Sequence, residues 1–128
     1  MFIKFEGIKG EAHDAKHKDE IDVLSWSWGM TQPVSAHVGG GRAAGAVTVQ
    51  DLNFTKYADR ASPVLFQSIA EGKHFKYVVL TVRKAGQHPL EYVLFKLKDA
   101  FISSMQTSSS EVTLTETVTV SFEHVEYI

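Results

Sequence analysis

The stretch Ser62-Pro63-Val64-Leu65-Phe66-Gln67-Ser68-Ile69-Ala70-Glu71-Gly72 reads as a helix from its first residue to its last. Ser62 is expected at the N-cap, where its hydroxyl can accept from a free backbone N–H. Pro63 suits the first turn, because its missing N–H has no partner there in any residue. Gly72 suits the left-handed stop just past the end. Leu65, Phe66, Ile69 and Ala70 fall on one side at helical spacing. A helix this short is marginal by itself and needs a surface to lie on. Leu65, Phe66 and Ile69 are therefore expected to face the core. Burying all three would stabilise the element by about 5–9 kcal/mol as an upper estimate. The rest of the chain reads as the sheet that supplies that surface.

A chain of 128 residues is long enough for one domain over residues 1–128, burying roughly two thirds of its unfolded surface. With 44% hydrophobic and 22% charged residues it is expected to be an ordinary globular protein, not a disordered one. The net charge of −2 provides no basic field for nucleic acid or an anionic membrane. The absence of cysteine excludes disulfide staples, thiol catalysis and cysteine-based zinc sites. No apolar run fits a signal peptide or a membrane span, so synthesis in the cytoplasm and no membrane insertion are expected. Export would then need a route that reads another feature.

Working outward from the helix, Phe2 to Phe5 alternates as a first strand, closed by turn signals at Gly7 and Gly10. Glu11 to Glu20 reads as a solvated, charge-dense loop. Ile21 to Met30 reads as one strand, with Leu24, Trp26, Trp28 and Met30 on a core face. Ser25 and Ser27 then follow Ile21 and Val23 on the other face. Thr31 to Gly45, with Pro33 and the Gly39-Gly40-Gly41 triplet, reads as an extended loop of about fifteen residues, a length that is often functional. Ala46 to Thr55 is a strand whose apolar phase slips near Gln50-Asp51, suggesting a bulge. Phe75 to Lys84 and Glu91 to Gln106 are strands, the second with a kink expected near Asp99. From Val112 to Phe122, apolar residues alternate with Thr113, Thr115, Thr117, Thr119 and Ser121, which makes one face rich in hydroxyls. The sum is a mainly β fold, a barrel or two-sheet sandwich with one short helix near Ser62–Glu71.

The candidate chemistry is thin. His13 and His17 have helical metal-ligand spacing, yet their segment has no apolar stripe and no third ligand, so no metal site is expected. Gly39-Gly40-Gly41-Arg42 is followed by a strand, whereas a phosphate loop needs a helix N-terminus there. Asn53-Phe54-Thr55 has the form of a glycosylation sequon, which means nothing without a signal peptide. No nucleophile elbow or other spaced catalytic signature appears, and neither an enzyme nor a cofactor is expected. Trp26 and Trp28 leave one alternative, a small β-sandwich module that binds carbohydrate. It requires those rings to be exposed. A metal-dependent enzyme built on His13 and His17 would need an acid that the sequence does not mark.

Several blocks carry a resemblance. Phe2-Ile3-Lys4, Gly7-Ile8-Lys9-Gly10-Glu11, Ile21 to Gly29, Val49 to Tyr57, Gly72-Lys73-His74, Leu80 to Gly86 and Leu114-Thr115-Glu116 recur in that order. Together they resemble the haemolysin-coregulated protein (Hcp) family of type VI secretion across nearly the whole chain. The resemblance implies a β-barrel similar to phage tail-tube proteins. It also implies a homohexameric ring, stacked into a tube inside contractile sheath proteins and capped by a spike protein with valine-glycine repeats. Small effector proteins would be carried or protected in the lumen, and the subunit would be secreted without a signal peptide. Members often continue past the last strand, whereas this sequence stops at Tyr127-Ile128.

Two sets of residues follow as expectations. Small, uncharged Ser25 and Ser27 suit a lumen wall past which varied cargo slides. Val34, His37, Gly39, Gly40, Gly41 and Arg42 belong to the long loop, which is expected to reach a neighbouring ring because glycine frees its backbone.

Overall fold

The structure is a computed structural model that describes residues 1–31, 34–35, 43–44, 48–84 and 90–127. Its main body is one curled seven-stranded sheet rather than two flat layers. The strands are β1 (Phe2–Phe5), β2 (Ile21–Asp22), β3 (Ser25–Ser27), β4 (Met30–Thr31), β5 (Val34–Ser35), β6 (Ala43–Ala44), β7 (Thr48–Val49), β8 (Leu52–Tyr57), β9 (His74–Lys84), β10 (Leu90–Ser109) and β11 (Leu114–Tyr127). The order across the sheet is β2-β1-β9-β10-β11-β8-β3. The two edge strands, β2 and β3, are consecutive in the chain. Val23 N–H donates to Met1 at 2.9 Å, on the β1 side, and Leu24 N–H donates to Thr55 at 2.8 Å, on the β8 side. One peptide step therefore joins both edges, and the sheet must curl round to meet itself.

That step corrects the reading of Ile21 to Met30 as a single two-faced strand. Ile21 and Val23 point into the core, then the phase reverses, and Trp26 and Trp28 pack against the core from β3 and the residues after it. Leu24 and Met30, expected inside, are exposed. Ser25 and Ser27 do face outward. In β8 and β11 the alternation holds as read, with Leu52, Phe54, Val118 and Val120 inside, and Val78, Leu80, Phe95 and Leu97 of β9 and β10 join them. Gln50 and Asp51 lie between β7 and β8, at the phase slip. Asp99 has φ 51°, and the ladder skips it at the expected kink. Val112, however, lies in the turn before β11 and is 89% exposed, and Leu114 is exposed as well.

The helix α1 spans Ser62–Glu71, with Pro63 in its first turn and Gly72 in the left-handed conformation at φ 63°. Gly72 and Lys73 donate to the last carbonyls, closing the C-terminus. The N-terminus differs from expectation. Ala61 is the N-cap and makes no side-chain cap, while the Asp59 carboxylate accepts from Ala61 N–H at 3.0 Å. The Ser62 hydroxyl is directed inward instead. The buried stripe is also narrower than expected. Leu65 is fully buried and Ile69 packs on the core, but Phe66 is 42% exposed and Ala70 faces out. The helix is rotated so that Ser62, Leu65, Ser68 and Ile69 meet the sheet, and Phe66 does not belong to the core set.

The segment from Glu11 to Glu20 is a loop that is only partly solvated. His17 is buried, stacks on Phe2 at 4.8 Å, and meets Glu20 at 2.7 Å. Asp14 pairs with Arg83 at 2.6 Å, and Asp19 with Arg60 at 2.7 Å. The hydrogen bond from Arg83 holds the Asp14 carboxyl below the ordinary carboxylate range. A Cβ at Gly10 would stand 2.5 Å from the Glu20 carbonyl oxygen, so the close pass of these two backbones requires glycine.

Within and beside the long loop, Met30–Thr31 pair with Thr48–Val49, and Val34–Ser35 pair with Ala43–Ala44. Gln50 N–H donates to the Gly29 carbonyl at 2.9 Å, so the hairpin begun by β3 and β8 continues to β4 and β7. His37, Gly39, Gly40, Gly41 and Arg42 lie outside the described residues, as do Pro33 and Gly45.

The rotation of the helix makes a direct prediction. Leu65→Ala should cost about 2–5 kcal/mol, the usual range for a fully buried leucine, whereas Phe66→Ala should cost much less. Urea denaturation midpoints of the two variants check this, and equal midpoints would contradict the observed helix face.

Candidate functional site

Antiparallel register places the small polar residues of four neighbouring strands in rows on the outer face. Ser25 pairs with Thr55, Thr55 with Thr117, and Thr117 with Gln106. In the next row Ser27 pairs with Asn53, Asn53 with Thr119, and Thr119 with Ser104. Thr119 Oγ1 donates to Asn53 Oδ1 at 2.6 Å, which leaves the Asn53 amide N–H groups as donors to an outside partner. Across both rows every side chain is an uncharged hydroxyl or amide. Ser25 and Ser27 are thus the margin of a wider face whose other members were legible only as alternating threonines.

Below these rows the same side of the sheet becomes charged. Asp99 interrupts β10, and Glu123 and His124 are both exposed on β11, so each strand changes phase there. Lys98 pairs with Glu126 at 3.0 Å, and that contact holds the Glu126 carboxyl below its ordinary range. Ligand atoms of Asp99, Glu123 and His124 lie within 4.8 Å of one another, and all three residues are exposed. This group, not His13 and His17, is where the described residues bring metal-ligating types together. His17 is committed to Phe2 and Glu20, and His13 is exposed in the loop.

The sheet is staggered, so several strand segments lack a second neighbour among the described residues, and the two longest lie on β10 and β11. β10 pairs with β9 only as far as Phe101, and its remainder to Ser109 pairs with β11 alone. β11 pairs with β8 only from Thr115 to Val120, and Ser121 to Tyr127 pair with β10 alone. The two open edges face opposite flanks of the subunit.

Inside the barrel, under the outer rows, lies a buried ionic cluster that the sequence did not announce. Lys56 and Glu116 are register partners on β8 and β11, both pointing inward. Lys56 Nζ lies 2.7 Å from Glu116 Oε1, 2.9 Å from Asp59 Oδ1 and 3.1 Å from Ser62 Oγ. Ser62 Oγ also donates to Glu116. Lys56 is 0% exposed, and these partners replace the water that its ammonium loses on burial. The cluster joins two strands to the first turn of α1, which is why Ser62 does not cap the helix. A lysine and a glutamate at inward positions of otherwise apolar strands are the signal that reveals such a pair, since each breaks the alternation.

The Trp26 and Trp28 rings meet Phe95 edge-on, at 4.9 and 5.5 Å, and Tyr127 packs on the same phenylalanine at 4.8 Å. They are half-buried against the core rather than spread as an open stacking platform.

Comparison with known proteins gives this architecture its relatives. The sequence signature described as "Type VI secretion system effector, Hcp" matches residues 2–127. Protein hcp1 of Pseudomonas aeruginosa is 50% identical over 129 aligned positions, covering 98% of this chain and 80% of that protein. The chain belongs to the Hcp family of type VI secretion proteins. Among solved structures, Hcp1 from Salmonella typhimurium superposes with a TM-score of 0.84 at 42% identity, over 98% of this chain and 83% of that one. A type VI secretion system effector from Yersinia pestis gives 0.76 at 38% identity, over 94% and 82%. A further type six secretion system protein gives 0.91 at 25% identity, over 98% and 80%. The Hcp family is one of structural, secreted tube proteins. Among the described residues no helix is long and apolar enough to cross a membrane.

In this Hcp chain the buried cluster has a testable weight. Glu116→Ala removes the main partner of a fully buried ammonium and should cost about 3–5 kcal/mol. Replacing Lys56 and Glu116 together with Met and Leu should recover much of that loss, because no charge is then left unpaired. Thermal or chemical denaturation of the single and double variants measures the difference.

Proposed function

We propose that the chain is the tube subunit of a type VI secretion system and that it closes into a homohexameric ring. Such rings stack within contractile sheath proteins beneath a spike protein and carry small effectors in the lumen. The observation that supports ring closure best is the pair of open strand edges on opposite flanks. One subunit's Ser104–Ser109 edge and another's Ser121–Tyr127 edge are different surfaces, so they suit a head-to-tail contact, the kind that generates a ring when its rotation closes. Pairing them would also cover backbone groups that otherwise invite aggregation. The uncharged outer rows are the wall we assign to the lumen, with Ser25 and Ser27 at its margin. The strand pair carrying Val34, and the segment with His37, Gly39, Gly40, Gly41 and Arg42 beyond it, is the part we assign to contact with the next ring.

Size-exclusion chromatography with light scattering should return about six times the 14.2 kDa subunit. A monomer at high micromolar concentration would count against the ring. Two substitutions separate the assigned surfaces. Gly40→Glu should leave the ring mass unchanged while impairing tube formation seen by negative-stain imaging. Ser27→Lys should also leave rings intact but alter retention or delivery of effectors. Loss of the ring in either variant would move that surface into the ring contact instead.

A further inference from the structure

We infer that the lumen wall is divided into an electrostatically neutral belt and a charged collar, so that cargo is held in the belt by uncharged hydrogen bonds whatever its own charge. This rests on the assignment of the outer rows to the lumen. The division is visible along β11, where Thr117, Thr119 and Ser121 precede Glu123 on the same side of the strand. Among the described residues the rows through Thr117 and Thr119 hold no charge across all four strands. The change comes where Asp99 turns out of β10 at φ 51° and the phase of β11 reverses at Glu123-His124. Asp99, Glu123 and Glu126 stand against Lys96 and Lys98 there, so the collar carries an excess of carboxylates. A charged wall would attract cargo of one sign and repel the other over roughly a Debye length, about 8–10 Å at moderate salt. The belt's hydroxyls and the Asn53 amide instead offer neutral donors and acceptors, which any polar protein surface can meet.

The chain has no cysteine, so single-cysteine variants report one position each. In assembled rings, Asn53→Cys and Ser121→Cys are treated with two small methanethiosulfonates of similar size, one cationic and one anionic. Rates are normalised to a free thiol. At Asn53→Cys the two rates should agree within about twofold at both low and high salt. At Ser121→Cys the cationic reagent should lead several-fold at low salt. That lead should vanish at high salt and when Glu123→Gln is added. A marked charge preference at Asn53→Cys, or none at Ser121→Cys, overturns the division. A bulky polyethylene glycol maleimide tests the underlying assignment separately. If it labels Asn53→Cys in rings as fast as Lys16→Cys, the face is exterior and the lumen reading fails, whatever the small-reagent ratio.

Discussion

Val23 and Leu24 bind the two edges of the main sheet to one another through a single peptide step, and the geometry of the subunit follows from it. A right-twisted sheet whose first and last strands are covalent neighbours cannot stay open. It must curl until the Met1 carbonyl and the Thr55 carbonyl lie close enough to accept from adjacent residues. Curling gives the sheet an inside and an outside. The inside is filled by Ile3, Phe5, Leu52, Phe54, Leu80, Phe95, Leu97, Val118 and Val120, whose burial holds the curl shut. The outside is left free to carry whatever pattern assembly and cargo require.

The interior is not uniformly apolar. Lys56 and Glu116 oppose each other at the end of the barrel covered by the helix, with Asp59 and Ser62 completing the shell. An ion pair of this kind adds little stability compared with an apolar pair of equal volume, but it tolerates no other arrangement of its partners. A shifted register between β8 and β11 would leave a bare charge in the core. The cluster shares its register with the outer rows, since Lys56 opposes Glu116 in the ladder that also aligns Thr55 with Thr117 and Asn53 with Thr119.

The same stagger that aligns those rows leaves β10 and β11 with edges running past their neighbours. Those edges present backbone donors and acceptors to solvent, and a long open edge is a template for pairing with another chain. Head-to-tail pairing of the two would cover both, which is the physical basis of the ring proposed above.

What the sequence determined by itself was local. Pro63 and Gly72 set the ends of the helix because proline and glycine restrict or free the backbone regardless of context. The period-two alternation of β8 and β11 named their apolar inward residues Leu52, Phe54, Val118 and Val120, and Asp99 marked its own kink. Tertiary structure decided everything that depended on which strand lies beside which. Trp26 and Ile21 look like members of one strand, but their partners lie at opposite edges of the sheet, so the phase reverses between them. Phe66 is as apolar as Leu65, yet Ser62 lies inward with the Lys56 cluster and Phe66 faces solvent. His17 lies in a run of charges that reads as solvated, and its burial depends on Phe2 and Glu20 meeting it in space. Burial, charge pairing and the uncharged outer rows arise between residues far apart in the chain, and periodicity along one strand carries no record of its neighbours.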